Sequence, residues 1–352
     1  MISVKDQDRM RIPYALRHVP RGALIGLQDI PEAPMPGDIV LASVERLGKN
    51  SALELSNGRR CSLHEGDVIA AVFGNRYATL QFEGFARANG SCCDLLSMGG
   101  LCGVVATKHC KVADPTKLKL VGAITDTHGH PLTMAGYHVE QRTVVGQPHI
   151  LVVCGSSMNA GKTHTALSII KGLSNAGKSV AGIKLTGTAT GKDTWNMLDA
   201  GACVALDFVD GGYPSTYLCS HDELVRLYDL LVGHASAQSV EYVVIEIADG
   251  LLQRETAMLL QSSIFTSLVD TWVFAGGDPM AAESGVRLMR KWGIEPVTVS
   301  GALTMSSLNI REVEAVTSLS CMDADELQAG GLNDLLFASA AGREVAQLRR
   351  IV

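Results

Sequence analysis

Short apolar runs broken by turn residues fill the first part of the chain, and longer runs alternating with helical spacing fill the rest. Between residues 36 and 145 a turn signal recurs about every ten residues. Pro36-Gly37-Asp38, Ser56-Asn57-Gly58, Glu65-Gly66-Asp67 and Phe73-Gly74-Asn75 are the clearest. The apolar runs among them include Ile39-Val40-Leu41, Val68-Ile69-Ala70-Ala71-Val72 and Gly103-Val104-Val105. Short strands with Gly and Asn turns at this spacing predict a small β-barrel or sandwich. Pro13, Pro20, Pro31 and Pro34 punctuate the first 35 residues, which are expected to wrap over another part of the chain.

From His149 the pattern changes. Ile150-Leu151-Val152-Val153-Cys154 is a continuous apolar run, as expected of a strand covered on both faces. Residues 162–176 carry apolar positions at helical spacing. Strands are then predicted at 180–184, 203–208, 242–247, 271–275 and 296–300. Helices are predicted at 193–201, 222–233 and 280–292. Strands alternating with helices predict a parallel sheet with helices on both faces. The expected fold class is therefore α/β: a parallel-sheet domain over 147–352, preceded by a smaller β-rich, barrel-like domain over 1–146.

Composition narrows the functional classes. A length of 352 residues suits two domains of ~100–200 residues each. Hydrophobic residues at 47% and charged residues at 19% exclude a disordered chain. No run of ~18 uncharged apolar residues is present, so no membrane span is expected. The net charge of −6 offers no global attraction to nucleic acid or anionic lipid, although a small local basic site is compatible with it. The first residues, Met1-Ile2-Ser3-Val4-Lys5-Asp6, lack an apolar secretory segment. Nine cysteines, an odd and scattered set, point to reduced thiols and a cytoplasmic location.

The strongest chemical signal is Gly155-Ser156-Ser157-Met158-Asn159-Ala160-Gly161-Lys162-Thr163, followed by His164. It leaves a predicted strand and opens a predicted helix, the context a phosphate-binding P-loop requires. Backbone N–H groups at such a helix start form an anion nest at the positive end of the dipole. Gly161 admits close approach of phosphate, Lys162 reaches terminal phosphates, and the Thr163 hydroxyl suits Mg²⁺. Residues 155–164 are the expected nucleotide contacts. The spacing is G-x5-G-K-T, one residue longer than the common G-x4-G-K-[ST].

Beyond the ends of other strands lie Lys184, Asp193 and Glu246. In a parallel sheet, ligands bind in the crevice at that end. Mg²⁺ prefers hard oxygen ligands, so Thr163, Asp193 and Glu246 form the expected metal set. Each has a structural alternative: Asp193 as a helix cap, Glu246 as a solvated strand-end charge. Lys184 either snorkels to water or neutralises a transferring phosphoryl group. Lys162, Lys184, Asp193 and Glu246 are the expected catalytic groups.

The longer loop resembles that of dethiobiotin synthetase and the cobyrinic acid amidotransferases. These belong to the SIMIBI class of P-loop NTPases, with the MinD-like ATPases and the signal-recognition GTPases. Gly182-Ile183-Lys184-Leu185-Thr186-Gly187 is similar to a Lys-Ser-Gly stretch of dethiobiotin synthetase. Gly191-Lys192-Asp193-Thr194-Trp195 and Ala200-Gly201-Ala202 resemble a segment of the molybdopterin-guanine dinucleotide accessory protein. Val243-Val244-Ile245-Glu246 ends in a carboxylate where both relatives carry Glu. The histidine-rich stretch of the accessory protein has no counterpart here, and residues 1–146 match neither relative.

The resemblance implies Mg²⁺ and ATP, or alternatively GTP, as cofactors, and a homodimer. It places base contacts in Ser300-Gly301-Ala302-Leu303-Thr304. Asp249 and Arg254 lie on a loop that in this class senses the γ-phosphate or binds substrate, and Thr186 supplies a hydroxyl near Lys184 as a further candidate substrate contact. Arg254 and Glu255 can equally be a surface pair at a helix start. Gly74-Asn75-Arg76-Tyr77 is either a turn with a packed Tyr77 or one that presents Arg76 to an anionic ligand across the domain boundary. His128 and His130 beside Asp126 permit a zinc reading, but a hairpin turn before Pro131 is preferred.

Three functions compete. The first is an enzyme of ligase or kinase type that uses Mg·NTP to activate a small acid or amine. The second is a nucleotide-binding accessory protein for cofactor biosynthesis, and the third is a MinD-like switch. The enzyme reading is preferred, with nucleotide and a small molecule as partners and neither nucleic acid nor membrane.

Overall fold

The computed structural model of the chain describes residues 2–338; the end of the expected C-terminal domain, 339–352, lies outside the described residues. The chain divides into two compact units. Unit 1 comprises Met1–Glu140 together with Thr186–Lys192 and Asp207–Cys219, and unit 2 holds the remainder.

Unit 1 opens with helix α1 (Val4–Arg9) and contains strands β1 (Gly26–Gln28), β2 (Ile39–Arg46), β3 (Ala52–Glu54), β4 (Arg60–Ser62), β5 (Val68–Phe73), β6 (Phe82–Phe85), β7 (Cys92–Leu95), β8 (Leu101–Lys108) and β9 (Thr116–Thr125). β2 pairs with β9 and β5, β5 with β8, β8 with β7, and β7 with β9 again. The pairings form a closed ring of five strands. β1 joins β9 and β6 joins β8 outside the ring, while β3 and β4 form a separate hairpin. Alternate residues of the ring strands share one core: Val40, Ala42 and Val44; Ile69, Ala71 and Phe73; Cys93 and Leu95; Leu118 and Leu120. That period of two is the pleat, with successive side chains on opposite faces.

The two later stretches pair with each other and with the β-rich part of unit 1. Ala189 N donates to Pro214 O at 3.1 Å, and Thr216 N to Gly187 O at 3.0 Å. Glu54 accepts from Thr190 Oγ1 at 2.8 Å and from Gly191 N at 3.0 Å. Tyr217 donates its hydroxyl to Glu83 at 2.8 Å. Arg17 bridges Asp207 at 2.9 Å and Asp210 at 2.7 Å, with Tyr14 donating to Asp207 and His18 against Asp210. The proline-rich start of the chain is thus folded onto the stretch 207–219. Asp126 accepts the amides of His128 and His130 at 2.7 and 2.9 Å, which is the turn arrangement.

Unit 2 is built on a six-stranded sheet. Its elements are β10 (His149–Gly155), α2 (Lys162–Asn175), β11 (Val180–Lys184), α3 (Lys192–Asp199), β12 (Val204–Asp207), α4 (His221–Ser236), β13 (Tyr242–Glu246), α5 (Arg254–Leu260), α6 (Ser263–Thr266), β14 (Thr271–Ala275), α7 (Pro279–Lys291), β15 (Thr298–Ser300), α8 (Ser307–Thr317) and α9 (Ala324–Gln328). The boundary residues at the starts of α3 and at the end of β12 count with unit 1. The strand order is β12-β11-β13-β10-β14-β15, with β10 parallel to both its neighbours. β10, β11, β13 and β14 are buried along their whole length, which is why they read as unbroken apolar runs. β15 starts at Thr298 rather than Pro296, because proline has no N–H to give; Val297 N is the first donor, to Trp272 O.

Helix α2 buries Ala166, Ile169, Ile170 and Leu173, spacings of three and four that make one apolar stripe. The stripe packs on Leu151, Val153, Val244 and Val273 of the sheet and on Leu327 of α9. Ser220 and Glu223 cap α4 reciprocally, and Asp278 caps α7 ahead of Pro279. No helix of the described residues is long and apolar enough to cross a membrane.

Candidate phosphate-binding site

The site grows from the end of the central strand. β10 delivers Gly155 to the edge of the sheet, and Ser156 N is held by Ala275 O at 3.0 Å. The chain then turns through Asn159 and Gly161, with φ of 66° and 98°, before α2 begins at Lys162. Gly161 is required there on two counts. Its φ lies in the left-handed region, and a Cβ would sit 2.8 Å from Ala302 N and from Gly301 Cα. Among the described residues, the N–H groups of Met158, Asn159, Gly161, Lys162 and Thr163 meet no protein acceptor. They form a set of converging donors at the start of a 14-residue helix.

Lys162 is buried and curls back over the loop, its Nζ donating to Ser157 O at 2.7 Å. Burial pushes its ammonium below the ordinary lysine range, against the pull of Glu246 and Asp249. Cys154, one residue before Gly155, has its thiol pushed up to about 12 by burial and is no nucleophile at neutral pH.

Four of the residues singled out by sequence come together beside this loop. β11 and β13 pair in register with Lys184 opposite Glu246. Thr163 Oγ1 donates to Glu246 Oε1 at 2.8 Å. Lys184 Nζ forms an ion pair with Asp193 and lies 3.8 Å from Glu246 Oε1. Glu246 is 2% exposed, so it is not a solvated strand-end charge. Asp193 occupies the first turn of α3, one residue inside it, with its carboxylate committed to Lys184. Glu246 Oε2 is buried with no hydrogen-bond partner. A buried carboxylate oxygen without a donor is costly, and its natural complement is a cation.

Asp249 stands at the same end of β13, in a left-handed conformation with φ 61°. Burial pushes its carboxyl up, opposed by the charges of Lys162 and Lys184. Arg254 opens α5 and pairs with the buried Glu255 at 2.5 Å, the helix-start pair that its sequence position allowed. Thr186 is buried and belongs to unit 1. Arg76 also belongs to unit 1. Its guanidinium turns inward to Leu96 O and Gln81 Oε1, and it is 8% exposed. Arg76 is thus a packed side chain rather than a presented one.

Next to the loop, unit 2 has a cavity of about 380 Å³. Gly161, His164 and Thr165 form one wall, Gly301, Ala302 and Met305 another, and Asp323 and Asp325 a third. The stretch 300–304 was singled out by sequence; Asp323 and Asp325 were not. They lie some twenty residues downstream, and only the docking of α9 on α2 brings them in. No group of three or more His, Cys, Asp or Glu side chains among the described residues is placed to hold a metal ion. A cation here would rest on few protein ligands, as Mg²⁺ does when it keeps several waters.

No protein-family model matches the chain, and no curated protein matches it. Solved structures give partial likenesses. The signal recognition particle 54 kDa protein from Aeropyrum pernix, in complex with GDP, is similar over 58% of this chain and 49% of its own, at 18% identity and a TM-score of 0.36. A DUF1611 family protein from Anabaena variabilis is similar over 57% of this chain and 62% of its own, at 15% identity and a TM-score of 0.38. A ParA family ATPase from Chlorobium tepidum is similar over 53% of this chain and 91% of its own, at 12% identity and a TM-score of 0.31. The chain spans about half the length of the first of these and about three fifths of the second. With scores this low, the functional reading stands on the chain's own residues. Unit 2 is a parallel-sheet α/β unit in which a central strand runs through a Gly-Lys-Thr loop into a helix, the local strand–loop–helix arrangement of a P-loop.

Proposed function

We propose that the chain is a Mg²⁺-dependent enzyme that binds a nucleoside triphosphate at residues 155–164 and transfers its terminal phosphoryl group to a small acid or amine. The observation that carries this reading is the convergence of Thr163, Lys184, Asp193 and Glu246 beside a nest of unpartnered amides. The amides and Lys162 hold the phosphates. Thr163, Glu246 and Asp193 are the residues to hold Mg²⁺, and the partnerless Glu246 Oε2 fits that ion. Bound there, Mg²⁺ supplies charge neutralisation for the phosphate oxygens. Lys184 adds a fixed positive charge where negative charge develops. For an amine acceptor, Asp249 is the carboxylate left to take the proton released on attack, since Glu246 and Asp193 are engaged; an acid acceptor attacks as its carboxylate and needs no base. The cavity between Gly161 and Asp325 accommodates the nucleoside of ATP or GTP.

A small acceptor is favoured over a protein partner by the burial of the cationic groups. Lys184 is 9% exposed and Lys162 5%, so a folded partner's surface does not reach them. The test is calorimetric titration of the full chain with ATP and with GTP, with and without Mg²⁺, beside a Lys162→Ala variant. Micromolar binding of one nucleotide, weakened at least 100-fold in the variant, is expected. Equal affinity in the two proteins overturns the assignment.

A further inference from the structure

We infer that unit 1 carries a second ligand site, for a small organic anion with a carboxylate or phosphate head and an apolar body, in a cavity lined by Arg11, Arg17, Arg21 and Arg59. The cavity measures about 420 Å³ and lies wholly within the first 59 residues of unit 1. Four guanidinium side chains line it, against a single carboxylate residue, Asp8. That concentration stands out on a chain whose net charge is −6.

The four arginines are not equally compensated. Arg11 is paired with Asp67 at 3.0 Å, and Arg17 with Asp207 and Asp210. Even so, Arg17 Nη1 is buried with no hydrogen-bond partner. Arg21 is held only by carbonyls, those of Gln7, Asp8 at 3.3 Å and Met10 at 3.1 Å. Carbonyls orient a guanidinium without neutralising it. The Arg59 guanidinium meets no protein acceptor among the described residues. The charges of Arg21 and Arg59 are therefore left without a carboxylate partner beside the same space. Guanidinium groups match the planar or tetrahedral oxyanions of carboxylate and phosphate, and several together fix the head of such a ligand.

The rest of the lining says what the head is attached to. Met10, Leu16, Val19 and Leu55 give the cavity an apolar side. The volume suits a small organic molecule rather than a bare ion. Nucleic acid needs basic groups spread along a backbone path, and here they gather in one concavity.

The lining comes from unit 1 alone and the phosphate loop from unit 2, and the test keeps their binding apart. Full-length Lys162→Ala protein, in which the loop's own phosphate binding is disabled, is titrated by calorimetry at low ionic strength with hexyl phosphate, hexanoate and inorganic phosphate. At least one of the two amphipathic anions is expected to bind tenfold or more tighter than inorganic phosphate. Adding Arg21→Gln or Arg59→Gln is expected to weaken it at least fivefold. Both side chains are exposed at the rim, so the unfolding profile stays unchanged. The tighter of the two amphipathic anions names the head group. Absence of binding by all three probes overturns the inference, as does binding that neither arginine substitution weakens, or an inorganic phosphate affinity equal to that of hexyl phosphate.

Discussion

Replacing Glu246 by glutamine separates what this carboxylate does for stability from what it does for chemistry. The glutamine carbonyl oxygen can still accept the Thr163 hydroxyl, which now lies 2.8 Å from Oε1. The lost attraction to Lys184, at 3.8 Å, is about 4 kcal/mol with an effective dielectric constant of ~20. Against this, a carboxylate that is 2% exposed and has one partnerless oxygen no longer has to be kept out of water, a relief of several kcal/mol. The two nearly cancel, and the net change falls within about 2 kcal/mol of zero, a Tm shift of a few degrees. Turnover behaves differently. On the proposed Mg²⁺ role of Glu246, its loss is expected to remove roughly 2.7 kcal/mol or more of transition-state stabilisation, about 100-fold in rate. The assay pairs thermal unfolding of the free protein with phosphate release measured across a Mg²⁺ titration. A large drop in Tm with undiminished Mg²⁺-dependent turnover would refute the reasoning, because Glu246 would then be a structural partner of Lys184 and nothing more.

Three further outcomes are expected. Asp249→Asn should stabilise the protein at neutral pH: the folded carboxyl holds its proton above the ordinary 3.8, so wild-type stability falls as pH rises through that window, and the variant's advantage disappears below it in chemical unfolding at pH 3.5 and 8. Gly161→Ala forces φ 98° on a side chain 2.8 Å from Ala302 N, and should cost about 1–3 kcal/mol of stability and at least tenfold in nucleotide affinity, read by melting and calorimetry. Arg17→Met strands the fully buried Asp207 beside Asp210 and should cost about 3–5 kcal/mol at pH 7, with a smaller loss at acidic pH as Asp207, whose carboxyl burial already pushes up, takes up a proton.

Local pattern revealed the parallel sheet because its strands are buried on both faces and its helices carry one stripe. The phosphate loop was legible for the same reason: strand, glycine, lysine and helix are neighbours in sequence. Lys184 and Glu246 could be placed at strand ends, but their register opposite each other is a property of the β11–β13 pairing. The binding of 186–192 and 207–219 into unit 1 had no local signature, since Glu54 and Thr190 are 136 residues apart. Arg76 shows the opposite failure. A turn-like sequence suggested presentation, yet Leu96 O and Gln81 draw the guanidinium inward. Nothing in the local sequence singles out Arg11, Arg17, Arg21 and Arg59, which only the folding of unit 1 gathers around one cavity.

The interrupted course of unit 1 bears on how the protein is made. Its first stretch ends at Glu140, but its last piece ends at Cys219, 79 residues later. At about 5–20 residues per second, a ribosome needs roughly 4–16 s to cover that distance. For that interval Arg17 has emerged without Asp207 and Asp210, and Glu54 without Thr190. Meanwhile β10, α2, β11, α3 and most of β12 leave the exit tunnel. The N-terminal unit therefore cannot be completed first and set aside. Its closure waits on chain that belongs, by order of synthesis, to the middle of its neighbour, and the nascent protein is a candidate client for chaperones that shield unfinished β-sheet.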